Sequence, residues 1–255
     1  MFKSLRARID QKYRTIAFPI SDPVLPGRYT GRPALSPEKC DRCSDCVSVC
    51  PTGAIVLRKK GITLDTAKCI FCTECAEICS KDAIVFTREF RMGANGKAGL
   101  IENGTERTAI NALNKKMLKA FGRSLKFRVV SAGGCNACES DINVLGTIGF
   151  DLDRFGISYA ASPRHADGLI ITGPITRNMK EAVLKTYEAV PEPKIVIAVG
   201  ACALSGGIYA GHTETCGGAD TLLPVDLYIP GCPPHPMTIL NGLLELLDRI
   251  PRKNG

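Results

Sequence analysis

The chain has 255 residues, a formal net charge of +8 and 45% hydrophobic residues, so one large core or two modest cores can form. Its thirteen cysteines are many for this length. Disulfide scaffolds are usually short and secreted, whereas residues 1–19 carry charges throughout and lack the apolar stretch of a secretory signal. No run approaches the roughly 18 consecutive apolar residues of a transmembrane helix. We therefore expect a soluble chain in a reducing compartment, with cysteines that bind metal.

Residues 1–35 form a basic leader. Phe2, Leu5, Ile9 and Tyr13 have helical spacing, which predicts a short amphipathic helix with a basic polar face. Residues 18–33 hold four prolines and two glycines and are expected to be extended without regular structure. Three alternatives remain open for what this helix contacts: a membrane subunit, an anionic lipid surface, or solvent alone.

Residues 36–86 contain an internal repeat, LSPEKCDRCSDCVSVCPTGAIVL and LDTAKCIFCTECAEICSKDAIVF. Each copy has four cysteines at identical spacing, followed by a small residue and an apolar triplet. The spacing fits the bacterial ferredoxin run C-x2-C-x2-C-x3-C-P, although Ser80 replaces the proline in the second copy. The repeat therefore predicts an α+β ferredoxin-like domain with two clusters and pseudo-two-fold symmetry.

Each triplet of cysteines can wrap one corner of a cubane, while the fourth cysteine points toward the other cluster. We expect two [4Fe–4S] clusters, the first on Cys40, Cys43, Cys46 and Cys79, and the second on Cys69, Cys72, Cys75 and Cys50. Zinc sites prefer pairs of cysteines separated by a longer spacer. A zinc-stabilised module that binds nucleic acid through its basic charge is therefore only a remote alternative, and no nucleic-acid-binding motif accompanies it.

Residues 87–124 read as a linker followed by one helix. Helical spacing connects Ile110, Leu113, Met117, Leu118 and Phe121. We expect this helix to be capped by Thr105-Glu106 or by Thr108 and to end at Gly122.

Residues 125–255 alternate between short apolar runs and helical patterns. Strands are predicted at 125–130, 156–161, 168–173, 194–200 and 226–231, and helices at roughly 139–149, 178–189 and 236–250. Nearly continuous apolar strands between helices predict an α/β domain with a mainly parallel sheet covered on both faces.

The C-terminal half carries a third set of cysteines just past the carboxyl ends of three predicted strands. In an open parallel sheet these ends meet at one edge, where ligands bind. Neighbouring glycines let the backbone pass close to a bulky ligand. We expect a third [4Fe–4S] cluster, with zinc as an alternative, on Cys135, Cys138, Cys202 and Cys232. Cys216 is the odd cysteine and is expected to act as a small buried hydrophobic residue.

Four segments, GGCNACESD, SPRHAD, GACALSGGIY and YIPGCPPHP, resemble the small subunit of membrane-bound [NiFe] hydrogenases of the energy-converting and formate hydrogenlyase type. That family is related to the respiratory complex I subunit that carries the terminal cluster, but the complex I subunit typically has adjacent cysteines where this chain has Cys135 and Cys138. The resemblance covers about 127–247, and residues 36–86 resemble a two-cluster ferredoxin subunit. The chain thus resembles a fusion of the two.

This resemblance implies a flavodoxin-like fold with a proximal cluster on the third set. It also implies a large partner subunit that holds the nickel–iron centre, with membrane subunits and a further ferredoxin-type subunit as other partners. A location at the cytoplasmic face of the cell membrane follows from it. The chain itself is expected to carry no catalytic centre.

A few other residues have two interpretations each. Glu139 and Asp141 can serve a proton relay or complement a helix dipole. Arg164 and His165 can tune a nearby cluster potential or simply fix their loop, and neither His212 nor His235 is assigned a role. Because no P-loop and no G-x-G-x-x-G opening the first helix of the α/β half is present, no nucleotide or flavin is expected.

We therefore expect an iron–sulfur subunit that relays electrons through three clusters to or from a hydrogenase-type large subunit. A complex I-like quinone oxidoreductase and a nickel-free hydrogenase relative remain open, because the difference lies in the partner chain.

Overall fold

The computed structural model describes residues 2–12, 14–59, 61–122 and 124–250. Tyr13 of the predicted leader helix and residues 251–255 of the last predicted domain lie outside the described residues. The helices and strands of the first half are α1 (Phe2–Gln11), β1 (Pro33–Leu35), α2 (Asp45–Val49), β2 (Ile55–Arg58), β3 (Gly61–Asp65), α3 (Glu74–Glu77), β4 (Ile84–Phe86), β5 (Ile101–Glu102) and α4 (Lys115–Phe121). Those of the second half are β6 (Leu125–Ser131), α5 (Ala137–Val144), β7 (Ile157–Tyr159), β8 (Gly168–Thr172), α6 (Arg177–Ala189), β9 (Ile195–Val199), α7 (Ala201–Ser205), β10 (Leu227–Ile229) and α8 (Pro236–Leu246).

The predicted leader helix is confirmed as α1. After it, residues 14–32 form an irregular strap that runs across the second half of the chain toward β1. The amide of Ile16 donates to the carbonyl oxygen of Gly149 at 2.9 Å. Further along, Phe18 is buried and meets the Phe90 ring edge-on, with 5.8 Å between centroids. The strap is therefore fixed by packing although it has no regular structure.

The cysteine repeat folds into a small unit with two antiparallel sheets. One sheet pairs β1 with β4, and the other has the order β2-β3-β5. Helices α2 and α3 lie at equivalent places of the two repeat copies. Alternating residues of the strands are buried in one small core, which includes Leu35, Ile55, Ile62, Leu64 and Ile84. We call this part the repeat unit.

The segment between the two halves contacts both. Its strand β5 joins the sheet of the repeat unit, and Ala94 forms an antiparallel bridge with Tyr228 of β10. Arg107 holds it to α8 through two hydrogen bonds to the Glu245 carboxylate, at 2.7 and 3.2 Å. These contacts fix the second half against the repeat unit.

The predicted start of the linker helix at Thr105 or Thr108 is wrong. Helix α4 begins only after Asn114, whose side chain accepts the Met117 amide at 2.9 Å. Just before Asn114, the backbone bonds to a residue far along the chain: the Leu113 amide donates to the carbonyl oxygen of Leu246. Tertiary hydrogen bonds therefore override the helical pattern. The predicted end at Gly122 is confirmed, with φ of 56°.

The second half contains a five-stranded parallel sheet with the order β10-β9-β8-β6-β7. Counted within this half, the order is 2-1-3-4-5, which flavodoxin-type doubly wound sheets share. All five strands lie where the apolar runs predict them. Strands β8 and β9 are buried along their whole length, as expected for strands covered on both faces.

Helices cover both faces of this sheet. Ile142 of α5 and most of the apolar residues of α8 pack on one face. Val183 of α6 and Leu204 of α7 pack on the other. Alternate strand residues enter the two cores, so Ile170 faces α8 while Ile171 faces α7. None of the described helices has the length and hydrophobicity needed to span a bilayer.

Candidate metal centres

The first candidate centre lies in the loop before α2. Cys46 is buried at the start of α2, and burial raises its pKa. The neighbouring thiolates of Cys43, Cys40 and Cys79 raise this pKa further. The four cysteines predicted for the first cluster therefore lie within electrostatic reach of one another.

The second candidate centre lies in the matching loop before α3. Burial raises the pKa of Cys69 to about 12; the Phe71 amide lowers it, and Cys75, Cys50 and Cys72 raise it. The pKa of Cys75 is also raised to about 12, first by burial and then by Cys50 and Cys72. The structure thus brings together the four cysteines predicted for the second cluster. Cys50 and Cys79 each lie with the triplet of the other repeat copy.

Both loops use the same unusual backbone. Arg42 and Ser44 in the first loop and Phe71 and Thr73 in the second have φ of 67°, 75°, 57° and 68°. Non-glycine residues rarely adopt this left-handed conformation. Left-handed residues help to turn backbone N–H groups inward in the anion-binding nests that surround many iron–sulfur sites.

Backbone amides do point at the sulfur atoms. The Phe71 amide donates to Cys69 Sγ and the Ala54 amide to Cys50 Sγ, both at 3.3 Å. The Ala83 amide donates to Cys79 Sγ at 3.4 Å. Such bonds stabilise thiolate charge and raise the potential of a bound cluster.

The third candidate centre lies past the carboxyl ends of β6, β9 and β10. Cys138 is half-buried, and its pKa is raised by burial, by Glu139 and by the thiolates of Cys202, Cys232 and Cys135. Burial and the neighbouring thiolates of Cys232 and Cys135 raise the pKa of Cys202 to about 11. The parallel sheet therefore brings the four cysteines of the third predicted set together at one edge.

Glycines leave room for this third set. Gly200 has φ of 88°, and a Cβ there would lie 2.5 Å from Cys138 Sγ. A Cβ on Gly207 would lie 3.0 Å from Cys202 Sγ. Between the first two cysteines of the set, Asn136 repeats the left-handed conformation of the other loops, with φ of 70°.

The donor sets fit iron–sulfur clusters. Thiols with pKa values near 12 stay protonated at neutral pH unless a cation compensates their charge. Among the described residues, no three His, Cys, Asp or Glu side chains converge on the position of a single metal ion. A cubane presents four irons at separate corners and so accepts thiolates that are more widely spaced. A cluster bound in each set would supply a one-electron carrier.

Two carboxylates adjoin the third set. Glu139 is buried and accepts a hydrogen bond from the Thr172 hydroxyl, with 2.6 Å between the oxygens. Asp141 is half-buried in a cleft that Cys232 also lines, and burial raises its pKa. The structure therefore brings both carboxylates to the third candidate centre.

Arg164 and His165 do not join that centre. They form an exposed turn immediately before β8, where the Lys126 amide at the start of β6 donates to the Asp167 carboxylate. The cysteines lie past the other end of β6, roughly 13 Å away along the strand. A role for either residue in tuning the third cluster is not supported by this placement.

The remaining cysteine and histidines have separate positions. Cys216 packs against the core on the α6 and α7 face as predicted, although it is only partly buried. His212 lies in an exposed loop, where its Nδ1 accepts the Glu214 amide. His235, to which no role was assigned, accepts the Met237 amide through Nδ1 and so caps α8. Its ring meets Tyr29 edge-on at 5.1 Å between centroids.

The second and third centres face a common cleft. Phe71 lies between two cysteines of the second set, and Cys232 belongs to the third. Tyr29 of the strap and His235 line the same cleft. Sequence reasoning missed this pair because their contact joins positions more than two hundred residues apart.

Known proteins share both halves of the chain. Residues 135–246 match the family described as NADH ubiquinone oxidoreductase, 20 Kd subunit, and residues 39–83 match the 4Fe-4S dicluster domain. A probable membrane-bound hydrogenase subunit, mbhJ of Pyrococcus furiosus, is 40% identical over 148 residues, which are 58% of this chain and 89% of that protein.

Other similar proteins come from three further complexes. Formate hydrogenlyase subunit 7 of Escherichia coli is 44% identical over 147 residues, 57% of this chain and 57% of that protein. An NADH-quinone oxidoreductase subunit of Citrifermentans bemidjiense is 49% identical over 117 residues, 46% of this chain and 68% of that protein. A chain of the archaeal membrane-bound sulfane sulfur reductase has a TM-score of 0.46 at 34% identity, covering 55% of this chain and 77% of that chain.

Proposed function

This chain belongs to the family of the NADH ubiquinone oxidoreductase 20 Kd subunit, and from that premise we propose that it relays electrons through three [4Fe–4S] clusters. It is the iron–sulfur subunit of an oxidoreductase complex, of the membrane-bound hydrogenase or complex I type. One observation carries the proposal: twelve cysteines lie in three groups of four, and each group meets in space. The chain moves electrons and makes or breaks no substrate bond.

The packing supports an order for the relay. The Cys46 thiolate acts on the pKa of Cys75, so the first and second sets are neighbours. The Ser205 hydroxyl in α7 donates to the carbonyl oxygen of Ala67, two residues before Cys69, at 2.8 Å. Helix α7 also carries Cys202 of the third set. The second cluster therefore lies between the first and the third.

We propose that the third centre faces a large partner subunit. Cys135 and Cys232 are exposed at the edge of the parallel sheet. The relatives named as hydrogenase and formate hydrogenlyase subunits support a hydrogenase-type partner, to which we assign a nickel–iron centre. The two-residue separation of Cys135 and Cys138 favours the same choice. Half-buried Asp141, beside Cys232, is the carboxylate that we assign to proton exchange at this centre.

A complex I-like complex is the second candidate. The relative named as an NADH-quinone oxidoreductase subunit favours it at 49% identity. In that case the three clusters and their order are unchanged, and only the acceptor beyond the third cluster differs. For either complex we propose a position at the cytoplasmic face of the membrane, with membrane subunits and a further ferredoxin-type subunit as partners.

Metal analysis tests both levels of the proposal. The isolated chain, purified anaerobically, should hold about twelve iron atoms and as many sulfides. Iron near eight atoms or fewer, or zinc in its place, would refute the three-cluster relay. The native complex, purified through a tag on this chain, should also contain nickel. Iron without nickel would instead assign the chain to a complex I-like or nickel-free complex.

A further inference from the structure

Helix α1 exposes a row of large apolar side chains. Phe2, Leu5 and Ile9 are 87%, 58% and 67% exposed, and their spacing places them along one side of the helix. Within the part of the chain that the structure describes, none of the three belongs to a hydrophobic cluster. A contiguous exposed apolar row of this kind indicates an interaction surface.

Basic side chains border this row. Residues 2–12 carry Lys3, Arg6, Arg8 and Lys12 against Asp10, a net charge of 4 − 1 = +3. At 100° per residue, Arg6 and Arg8 fall on opposite sides of the apolar row. The Arg8 guanidinium donates to the carbonyl oxygen of Lys12 at 2.7 Å and so stays at the end of the helix.

The strap holds the helix near one more exposed apolar residue, outside α1. Four residues after α1, the Thr15 hydroxyl donates to the carbonyl oxygen of Ile148 at 3.1 Å, and the Ile16 amide bonds to Gly149. The Ile148 side chain is 76% exposed. The end of α1 is therefore tethered beside a loop that also presents an apolar side chain to the outside.

We propose that α1 lies in the interface of a bilayer that contains anionic lipid. Phe2, Leu5 and Ile9 insert at the boundary of the acyl chains, while the flanking arginines meet lipid phosphates. An apolar groove on a protein would accept the same row, but cations on both sides of it match a layer of phosphates. The inference concerns attachment and does not depend on the electron relay.

Vesicle flotation of the full chain with its clusters tests this surface. The wild type should bind vesicles of phosphatidylglycerol and phosphatidylcholine more tightly than pure phosphatidylcholine, and less tightly as salt rises. The double variant Leu5→Gln/Ile9→Gln keeps helix-forming residues and should bind at least about tenfold more weakly. Ile20→Gln/Val24→Gln is the matched control, since these side chains are 92% and 99% exposed but lie in the strap.

The charges and the depth of insertion have their own readouts. Lys3→Gln/Arg6→Gln should abolish the preference for anionic vesicles. Because the chain contains no tryptophan, Phe2→Trp gives a single reporter, whose emission should shift to the blue on anionic vesicles. Visible iron–sulfur absorbance shows that every variant is folded. Equal binding of Leu5→Gln/Ile9→Gln and wild type, no preference for anionic lipid, or no binding to protein-free vesicles would each overturn the proposal.

Discussion

Replacing Gly200 by alanine tests whether Cys138 is bound to iron. The added Cβ would lie 2.5 Å from Cys138 Sγ, far inside a normal contact. A free thiol would rotate away from the new methyl group at little cost. A thiolate bound to a cluster cannot move unless it breaks its bond to iron or pulls the cluster away from the other three thiolates. We therefore expect Gly200→Ala to lose the third cluster, about four of about twelve iron atoms, and to keep the other two.

The expected penalty has two parts. Gly200 has φ of 88° and ψ of 150°, a region essentially restricted to glycine, so an L-residue there costs on the order of 1–3 kcal/mol. Overpacking a filled site typically costs about 1–3 kcal/mol more. Gly211 provides a matched control, because its φ is 80° and an added Cβ would meet no atom within 4 Å. Gly211→Ala introduces an L-residue at positive φ without any close contact, so a loss of iron confined to Gly200→Ala would point to the crowding of Cys138.

Iron content and electron paramagnetic resonance of the reduced chain distinguish the outcomes. The signals of the two repeat-unit clusters should remain in both variants, and the third signal should be absent only in Gly200→Ala. If both variants keep all their iron, Cys138 is not a ligand and the third site is wrong. Equal loss of iron in both would place the effect in backbone strain.

Three further predictions concern single side chains. Cys216→Ala should retain about twelve iron atoms on metal analysis, since this thiol packs on a core away from all three sets. Glu139→Gln removes a buried negative charge beside Cys138 and should raise the third cluster's potential on the order of 100 mV in a redox titration, whereas exposed Glu188→Gln should not. Burial opposes ionisation of Glu245, but its bonds from Arg107 and other donors outweigh this and lower its pKa. The lowered pKa stabilises the fold fully at pH values above 4.5, the ordinary pKa of this side chain, and this stabilisation is lost as pH falls through the pKa of the folded state. The free energy of unfolding of Glu245→Gln, measured with urea, should therefore lack this acid-dependent loss.

The cysteine sets were predictable because their information is local. Two loops of identical spacing determine which thiols lie together, and the strand ends determine which loops meet at the sheet edge. The parallel sheet followed from apolar runs such as Ile195–Val199. The direction of the parallel strands could also have placed Arg164 far from the cysteines, since its segment precedes a strand whereas the cysteines follow strands.

Other features depend on contacts that no local pattern reports. The start of α4 is set by a backbone bond between Leu113 and Leu246. The left-handed residues of the cluster loops include Arg42 and Phe71, types that give no signal for that conformation. The contact of His235 with Tyr29 arises only when the strap is folded over α8.

The joining of the two halves is more than a covalent tether. Residues Ala67, Ala94 and Leu100 from the repeat unit and its linker share a core with Ala203 and Leu204 of α7. The strap adds a second connection, from Gly149 on one side to β1 on the other. A flexible linker alone would let the distance between the second and third centres vary. With two connections and a shared core, packing fixes that distance, so the proposed relay between the halves needs no docking step.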